Sequence, residues 1–152
     1  MAFDAPSLKG RALRLLAQRE HSRAELERKL AKYEEEPGTL AQALDELAAR
    51  DFINEARVVQ SVLHQRAKRL GTLRVRQELQ QKGVAPEAIA GALEQLQATE
   101  LERAREVWRR RFGTPPESPA ERARQTRFLL ARGFAAAAVS RVIRGAFDAE
   151  DD

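Results

Sequence analysis

Apolar side chains recur along this chain at the spacing of amphipathic helices. Leu40, Leu44 and Leu47 lie at positions i, i+4 and i+7, and the segment 89–96 repeats this spacing. Each such set places one apolar stripe along one face of a helix. Pro and Gly are scarce and fall between the periodic runs. The pattern predicts an all-α fold.

Helix ends are marked by short local signals. Gly83 and Gly133 follow apolar-periodic runs, where a left-handed residue closes a helix, and Pro86 and Pro119 suit a first helical turn. Capping boxes are predicted for Ser22 with Glu25, Thr39 with Gln42, Thr99 with Glu102, and Ser118 with Glu121. Together these signals predict nine helices, at about 8–19, 22–34, 39–49, 54–69, 72–82, 86–97, 99–112, 119–132 and 135–147.

The chain also repeats itself. A shift of 49 residues places Leu26 on Val75, and a shift of 50 places Gly83 on Gly133. A unit of about 50 residues forms only a marginal core, so neighbouring units should support one another. We therefore predict three tandem three-helix repeats that form an elongated, curved array. The predicted divisions are a first module at 1–52, a second at 53–97, a third at 98–148 and an acidic tail at 149–152.

Composition narrows the class of protein. The chain of 152 residues contains no Cys, so it forms neither disulfides nor thiolate metal sites. Its first ten residues lack the order of a signal peptide, and no apolar run approaches the ~20 residues that span a bilayer. We expect a cytoplasmic protein that acts without a membrane, a metal or another cofactor.

Charge is unevenly distributed. Residues 20–51 carry nine acidic and five basic side chains, a net of −4. Residues 57–82 carry seven basic side chains against Glu78 alone, and residues 103–144 carry eleven arginines against three glutamates, which gives +6 and +8. This segregation favours a polyanion or an acidic protein surface as the partner. The alternative is that these are ordinary solvated helix surfaces.

Three phrases resemble a known family in order and spacing. The run LRLLAQREHSRAELERKL spans 13–30, and LDELAARDFINEARVVQSVLHQRAKRLGTLRVRQELQQKGV spans 44–84. The third, RQTRFLLARGFAAAAVSRVI, spans 124–143. Each is similar to a segment of the RecX family of recombination regulators, and the resemblance covers about 8–147.

The resemblance implies both a fold and a function. RecX-like proteins consist of tandem three-helix repeats. They bind the RecA recombinase, particularly its nucleoprotein filament, and inhibit filament extension, ATPase activity and strand exchange. The implied partners are RecA and single- or double-stranded DNA, which would be contacted through its backbone. The resemblance thus implies a part in DNA repair, homologous recombination and the SOS response, and we expect a monomer.

Basic side chains of the second and third modules are the candidate contact residues, because phosphates and carboxylates require donors but no special pKa. The competing interpretation is that they are solvated helix ends. Reversal of Arg74, Arg76 and Lys82 to Glu is expected to remove inhibition and leave the fold intact. The full set is Arg57, Arg66, Lys68, Arg69, Arg74, Arg76, Lys82, Arg109, Arg110, Arg124, Arg127, Arg132 and Arg141.

Other readings of the sequence are weaker. An independent helix-turn-helix-like or architectural DNA-binding protein is the main alternative, and Gln77, Gln80 and Gln81 could then meet bases. Trp108 fits a core position better than a base-stacking one, because a valine occupies the equivalent place in the second module. The two histidines lie in different modules and no Walker-type loop is present, so the sequence does not support an enzyme.

Overall fold

The computed structural model describes residues 5–148, and all regular structure in that range is helical. None of these helices has the length and apolar character that crossing a membrane requires. The predicted acidic tail at 149–152 lies outside the described residues. The helices are α1 (Leu8–Gln18), α2 (Arg23–Leu30), α3 (Thr39–Ala49), α4 (Glu55–Arg66), α5 (Thr72–Gln81), α6 (Pro86–Arg111), α7 (Pro119–Ala131) and α8 (Ala136–Asp148), with a 3-10 turn at Ala31–Tyr33 after α2.

Three separate apolar cores confirm the tandem three-helix organisation. Each core forms where the apolar stripes of successive helices meet. The first core contains Ala12, Leu26, Leu30, Leu40, Leu44 and Leu47. The second contains Val58, Val59, Val62, Val75, Leu79, Val84, Ile89, Ala92 and Leu96. The third contains Ala104, Trp108, Leu129, Phe134, Val139, Val142 and Ile143.

The predicted helix starts at Ser22, Thr39 and Ser118 are confirmed, but the predicted cap at Thr39 is not. Ser22 and Glu25 form a full capping box, and the Ser118 hydroxyl accepts from the Glu121 amide at 3.1 Å. The predicted box at Thr39 is wrong, because Thr39 is already the first residue of α3 and Gly38 precedes it with a φ of 91°. The carboxylate of Glu34 accepts from the Leu40 amide at 2.8 Å and satisfies a donor of the first turn instead.

Helix α6 corrects the predicted break near residue 98. It runs without interruption for 26 residues and joins the two helices predicted at 86–97 and 99–112. No Gly or Pro lies near the predicted break, and the Thr99 hydroxyl bonds back to the Leu96 carbonyl rather than capping a new helix. The first half of α6 supplies the second core and its second half supplies the third. The predicted boundary between these modules therefore falls inside one helix.

The second and third modules meet where the first turn of α5 packs against the last turn of α7. The Gly71 amide donates to the Arg132 carbonyl at 2.7 Å, and the Leu73 amide donates to the Gly133 carbonyl at 3.1 Å. The amides that begin a helix and the carbonyls that end one have no partner within their own helix. At this joint the unpaired donors of α5 bond to the carbonyls that end α7.

Glu100 of α6 completes this joint. It is buried, and its Oε1 accepts from the Thr72 amide at 3.2 Å and from the Ala135 amide at 3.3 Å. One carboxylate therefore serves the start of α5 in the second module and the approach to α8 in the third. The contact is also very close, because a Cβ on Gly71 would lie 2.3 Å from the Gly133 carbonyl carbon.

The first and second modules meet at the equivalent place, with side chains in place of backbone donors. Gly83 ends α5 with a φ of 73°, and a Cβ there would lie 2.7 Å from the Cβ of Ala24 in the first turn of α2. The Ser22 hydroxyl donates to the Lys82 carbonyl, and Arg28 donates to the Gln81 carbonyl at 2.8 Å. The same helix-end contact thus links each module to the next.

We predict that Gly71→Ala destabilises the protein although its φ of −77° suits any residue. The added methyl group has no room against Gly133, and overpacking of this kind typically costs about 1–3 kcal/mol. Chemical denaturation followed by circular dichroism measures the loss.

Gly91→Ala is the matched control for this prediction. Gly91 lies in the exposed part of α6, and nothing lies within 4 Å of the position of an added Cβ. The substitution should raise the free energy of unfolding by up to about 1 kcal/mol, because alanine favours a helix more than glycine does. Equal stability of Gly71→Ala and the wild type would show that the joint has room for a methyl group and would contradict the prediction.

Candidate macromolecular interface

The structure divides the candidate basic residues of the second module into paired and unpaired side chains. Arg57 bonds to Glu20 at 2.9 Å and to Asp51 at 2.8 Å. Arg66 lies 3.3 Å from Glu78. These arginines already have carboxylate partners in their own chain, so much of their charge is compensated.

Lys82 belongs to the joint between the first two modules. Its ammonium lies 3.2 Å from Glu25 Oε1, and its side chain is only 17% exposed. Arg19 binds the other carboxylate oxygen of Glu25 at 2.7 Å. Burial alone would raise the pKa of Glu25, but hydrogen bonds from Arg19, the Ser22 amide and Lys82 outweigh burial and lower the pKa to about 2. Lys82 therefore stabilises the joint.

Arg74 is exposed but also makes contacts in a joint. Its guanidinium donates to the Ala131 carbonyl at 2.9 Å, and its aliphatic part packs against Gly133. The triple reversal of Arg74, Arg76 and Lys82 predicted to leave the fold intact would therefore disturb both joints. Of these three, only Arg76 makes no side-chain hydrogen bond, ion pair or ring contact within residues 5–148, and it is exposed.

In the third module, most candidate arginines contact neighbours on their own helix or a nearby ring. Arg109 and Arg110 share the carboxylate of Glu106 at 2.7 and 3.0 Å, and hydrogen bonds from both lower its pKa to about 2. Arg124 pairs with Glu121 at 3.0 Å. Arg132 lies over the ring of Phe128 at 4.9 Å from its centroid.

Five candidate residues are exposed and make no ion pair, side-chain hydrogen bond or ring contact in the described range. We call four of them, together with two exposed leucines, the α5–α7 surface. Leu73 is 51% exposed and Leu130 is 43% exposed, on the two helices that meet at the joint. The four basic members are Lys68, Arg69, Arg76 and Arg127, and the fifth unpaired residue, Arg141, lies on α8.

Arg103 holds the turn that carries two members of this surface. Its guanidinium donates to the carbonyls of Ala67 at 2.9 Å and Leu70 at 2.7 Å, the two residues that flank Lys68 and Arg69. Desolvation by burial lowers its pKa. In the sequence, Arg103 was counted only as one of the arginines of 103–144. Its position three residues after the buried Glu100 on α6 is the signal that distinguishes it from the exposed arginines.

The remaining residues considered in the sequence occupy either buried or exposed positions. Trp108 is buried and its Nε1 donates to Gln125 Oε1 at 2.8 Å, which confirms the core position. Gln77, Gln80 and Gln81 are exposed on α5. His21 is buried in the first module, where Nδ1 lies 3.0 Å from the Arg19 carbonyl. Within residues 5–148, no three His, Cys, Asp or Glu side chains are grouped so as to hold a metal ion.

The comparison with protein families is decisive. The family model described as "RecX, first three-helix domain" matches residues 9–47. The models of the second and third RecX three-helix domains match residues 54–93 and 98–143. The chain belongs to the RecX family. Three successive RecX domains therefore account for most of the sequence between residues 9 and 143.

Individual relatives agree with this assignment. The chain is 56% identical to Regulatory protein RecX of Leptothrix cholodnii, over 95% of this chain and 93% of that protein. It is 49% identical to Regulatory protein RecX of Ralstonia nicotianae, over 96% and 92%. The crystal structure of RecX from Lactobacillus salivarius has the same fold, with a TM-score of 0.74 at 19% identity over 91% of this chain and 93% of that chain.

The joint between the first two modules predicts a pH-dependent stability. Because the pKa of Glu25 is lower in the folded state, the folded state binds fewer protons, and the stabilisation is complete above the ordinary value of 4.5. We expect a loss on the order of 2–3 kcal/mol as the pH falls from 4.5 through about 2. In Glu25→Gln this part of the pH dependence should disappear.

Glu106→Gln is the matched control, because the pKa of Glu106 is also lowered to about 2 but its side chain is 42% exposed. Solvent screens exposed ion pairs, so this variant should change the loss of stability at low pH less than Glu25→Gln does. Thermal melts between pH 2 and 7 measure both. If Glu25→Gln loses as much stability at low pH as the wild type does, the ion pairs of Glu25 with Arg19 and Lys82 do not have the role assigned to them.

Proposed function

We propose that this protein binds the RecA filament on DNA and restrains its extension, its ATPase activity and its strand-exchange activity. The observation that supports this most strongly is membership of the RecX family along nearly the whole chain, with a curated relative 56% identical that is named a regulatory protein. The role in recombination is what the family resemblance implies. In this proposal the chain acts by binding, as its relatives' designation as regulatory proteins suggests.

The α5–α7 surface is the contact that we propose. Its basic residues are exposed and have no internal acidic partner in the described part of the chain, so their charge is available to a partner. Guanidinium and ammonium groups bind both carboxylates and phosphates, and both anions are present on a nucleoprotein filament. The exposed Leu73 and Leu130 add apolar area, which a purely ionic DNA contact does not need.

The geometry of this surface suits a specific contact. Arg103 fixes the turn that carries Lys68 and Arg69, and the backbone hydrogen bonds of the joint fix α5 against α7. Groups that are held in place before binding lose less conformational entropy when the complex forms. Arg141 on α8 is also exposed and unpaired, and it supplies a further candidate contact on the third module.

We predict that the wild-type protein lowers the steady-state ATPase rate of RecA on single-stranded DNA. The Arg69→Glu/Arg76→Glu variant should require roughly ten-fold more protein for half-maximal inhibition, which corresponds to about 1.4 kcal/mol of lost binding. Both residues are exposed and unpaired, so the fold should be unaffected.

Arg50→Glu/Arg105→Glu is the control with the same change in net charge. Both of these arginines are exposed, unpaired in the described range and outside the proposed surface, so the variant should inhibit as the wild type does. Equal inhibition by the test and control variants would remove the α5–α7 surface from the proposal. An ATPase rate that the wild type does not change would overturn the proposed function and favour an independent DNA-binding protein.

A further inference from the structure

A basic groove in the first module lies apart from the α5–α7 surface, and only Arg28 of its lining also takes part in a joint. It lies between α1 and the end of α2 and has a volume of about 660 Å³. Five basic side chains line it, and no Asp or Glu within residues 5–148 does. Those five, with the ring beside them, are Arg11, Arg14, Arg28, Lys29, Lys32 and Tyr33.

Three of these cations are held in place by neutral partners. The guanidinium of Arg11 stacks on Tyr33 at 3.7 Å from the ring centroid. Arg28 donates to the Gln81 carbonyl, a neutral acceptor in the second module. Lys29 lies 3.2 Å from Nε2 of His21.

His21 is a neutral partner for a physical reason. Desolvation by burial lowers its pKa, so the ring is uncharged at neutral pH. Nδ1 lies 3.0 Å from the Arg19 carbonyl and must donate to it, which leaves the lone pair of Nε2 to accept from Lys29. These cations are therefore positioned without being neutralised. This arrangement differs from that of Arg57, Lys82 and Arg109, which are held by carboxylates.

We propose that this groove binds the phosphate backbone of single-stranded nucleic acid, with Arg11, Arg14 and Lys32 as contact residues. Arg11, Arg14 and Gln18 follow one side of α1 over about 10 Å. A nucleic-acid strand carries one negative charge per nucleotide, so its phosphates can contact this row of side chains in any register. Tyr33 is 38% exposed and adds an aromatic ring beside the cations, and basic grooves for single strands commonly combine the two.

An acidic peptide is the weaker candidate for the occupant. Its carboxylates would have to match the positions of the cations, and the groove contains little besides Leu15, Leu30 and Ala31 to hold apolar side chains in register. Glu35 and Glu36 lie in the adjoining hollow beyond Tyr33, and they would repel a polyanion there. Their charge therefore confines a bound strand to the side between α1 and α2.

The proposal extends the proposed function to the first module, and it can be tested without RecA. The full chain is titrated into a fluorescein-labelled oligothymidylate at several salt concentrations, and anisotropy reports binding. For Arg14→Gln/Lys32→Gln we expect roughly ten-fold weaker binding at low salt and a slope of log K against log salt that is smaller by about 1.4, since each single-strand contact contributes ~0.7.

The control is Arg50→Gln/Arg105→Gln, which removes the same charge from exposed, unpaired sites outside the groove. It should keep the wild-type slope. If the wild type does not bind the oligothymidylate, or if both variants have the wild-type slope, the proposal is wrong. If the groove variant loses binding to a labelled polyglutamate but not to the oligothymidylate, the occupant is an acidic peptide. ATPase inhibition by the groove variant is measured separately, so failure of this proposal does not depend on the proposed function.

Discussion

The structure depends on how helix ends are satisfied where two modules meet. A module of this size buries too little apolar surface to be secure alone. Its middle helix also leaves unpaired amides at its start and unpaired carbonyls at its end. The joint between Gly71 and Gly133 addresses both problems, because the backbones approach within bonding distance and pair the free groups. Glycine is required there by contact, and Gly133 also by its φ of 92°.

The joints also explain how the basic residues divide. Residues close to a joint serve the fold: Lys82 pairs with Glu25, and Arg74 binds the end of α7. Arg76, which lies on α5 between the two joints, makes no side-chain hydrogen bond, ion pair or ring contact within residues 5–148. The scaffold therefore uses part of its positive charge to hold neighbouring modules together, and the rest stays exposed and unpaired in the described range.

The fold was largely predictable from the sequence, whereas the individual contacts were not. The spacing of Leu40, Leu44 and Leu47 predicted a buried stripe, and all three are buried. The break predicted at Thr99 failed because a capping box is a local signal, and a helix without a nearby Gly or Pro continues when both of its ends have cores to fill. Pairs such as Lys82 with Glu25 join residues 57 positions apart, so no local pattern reveals them. The basic groove was missed because the charge sum over 20–51 sets Arg28, Lys29 and Lys32 against the acids of that segment and leaves out Arg11 and Arg14.

The unbroken helix α6 has a consequence for how the molecule opens. Half of it lies in the second core and half in the third, and Glu100 bonds to backbone on both sides. Neither core can come apart without disturbing the helix that the other needs, so the two should exchange their amide hydrogens with deuterium as one cooperative unit. The first core shares no helix with its neighbour and is joined through the side chains of Ser22, Glu25 and Arg28. Its amides should exchange earlier, in a partly unfolded state in which the other two cores remain intact.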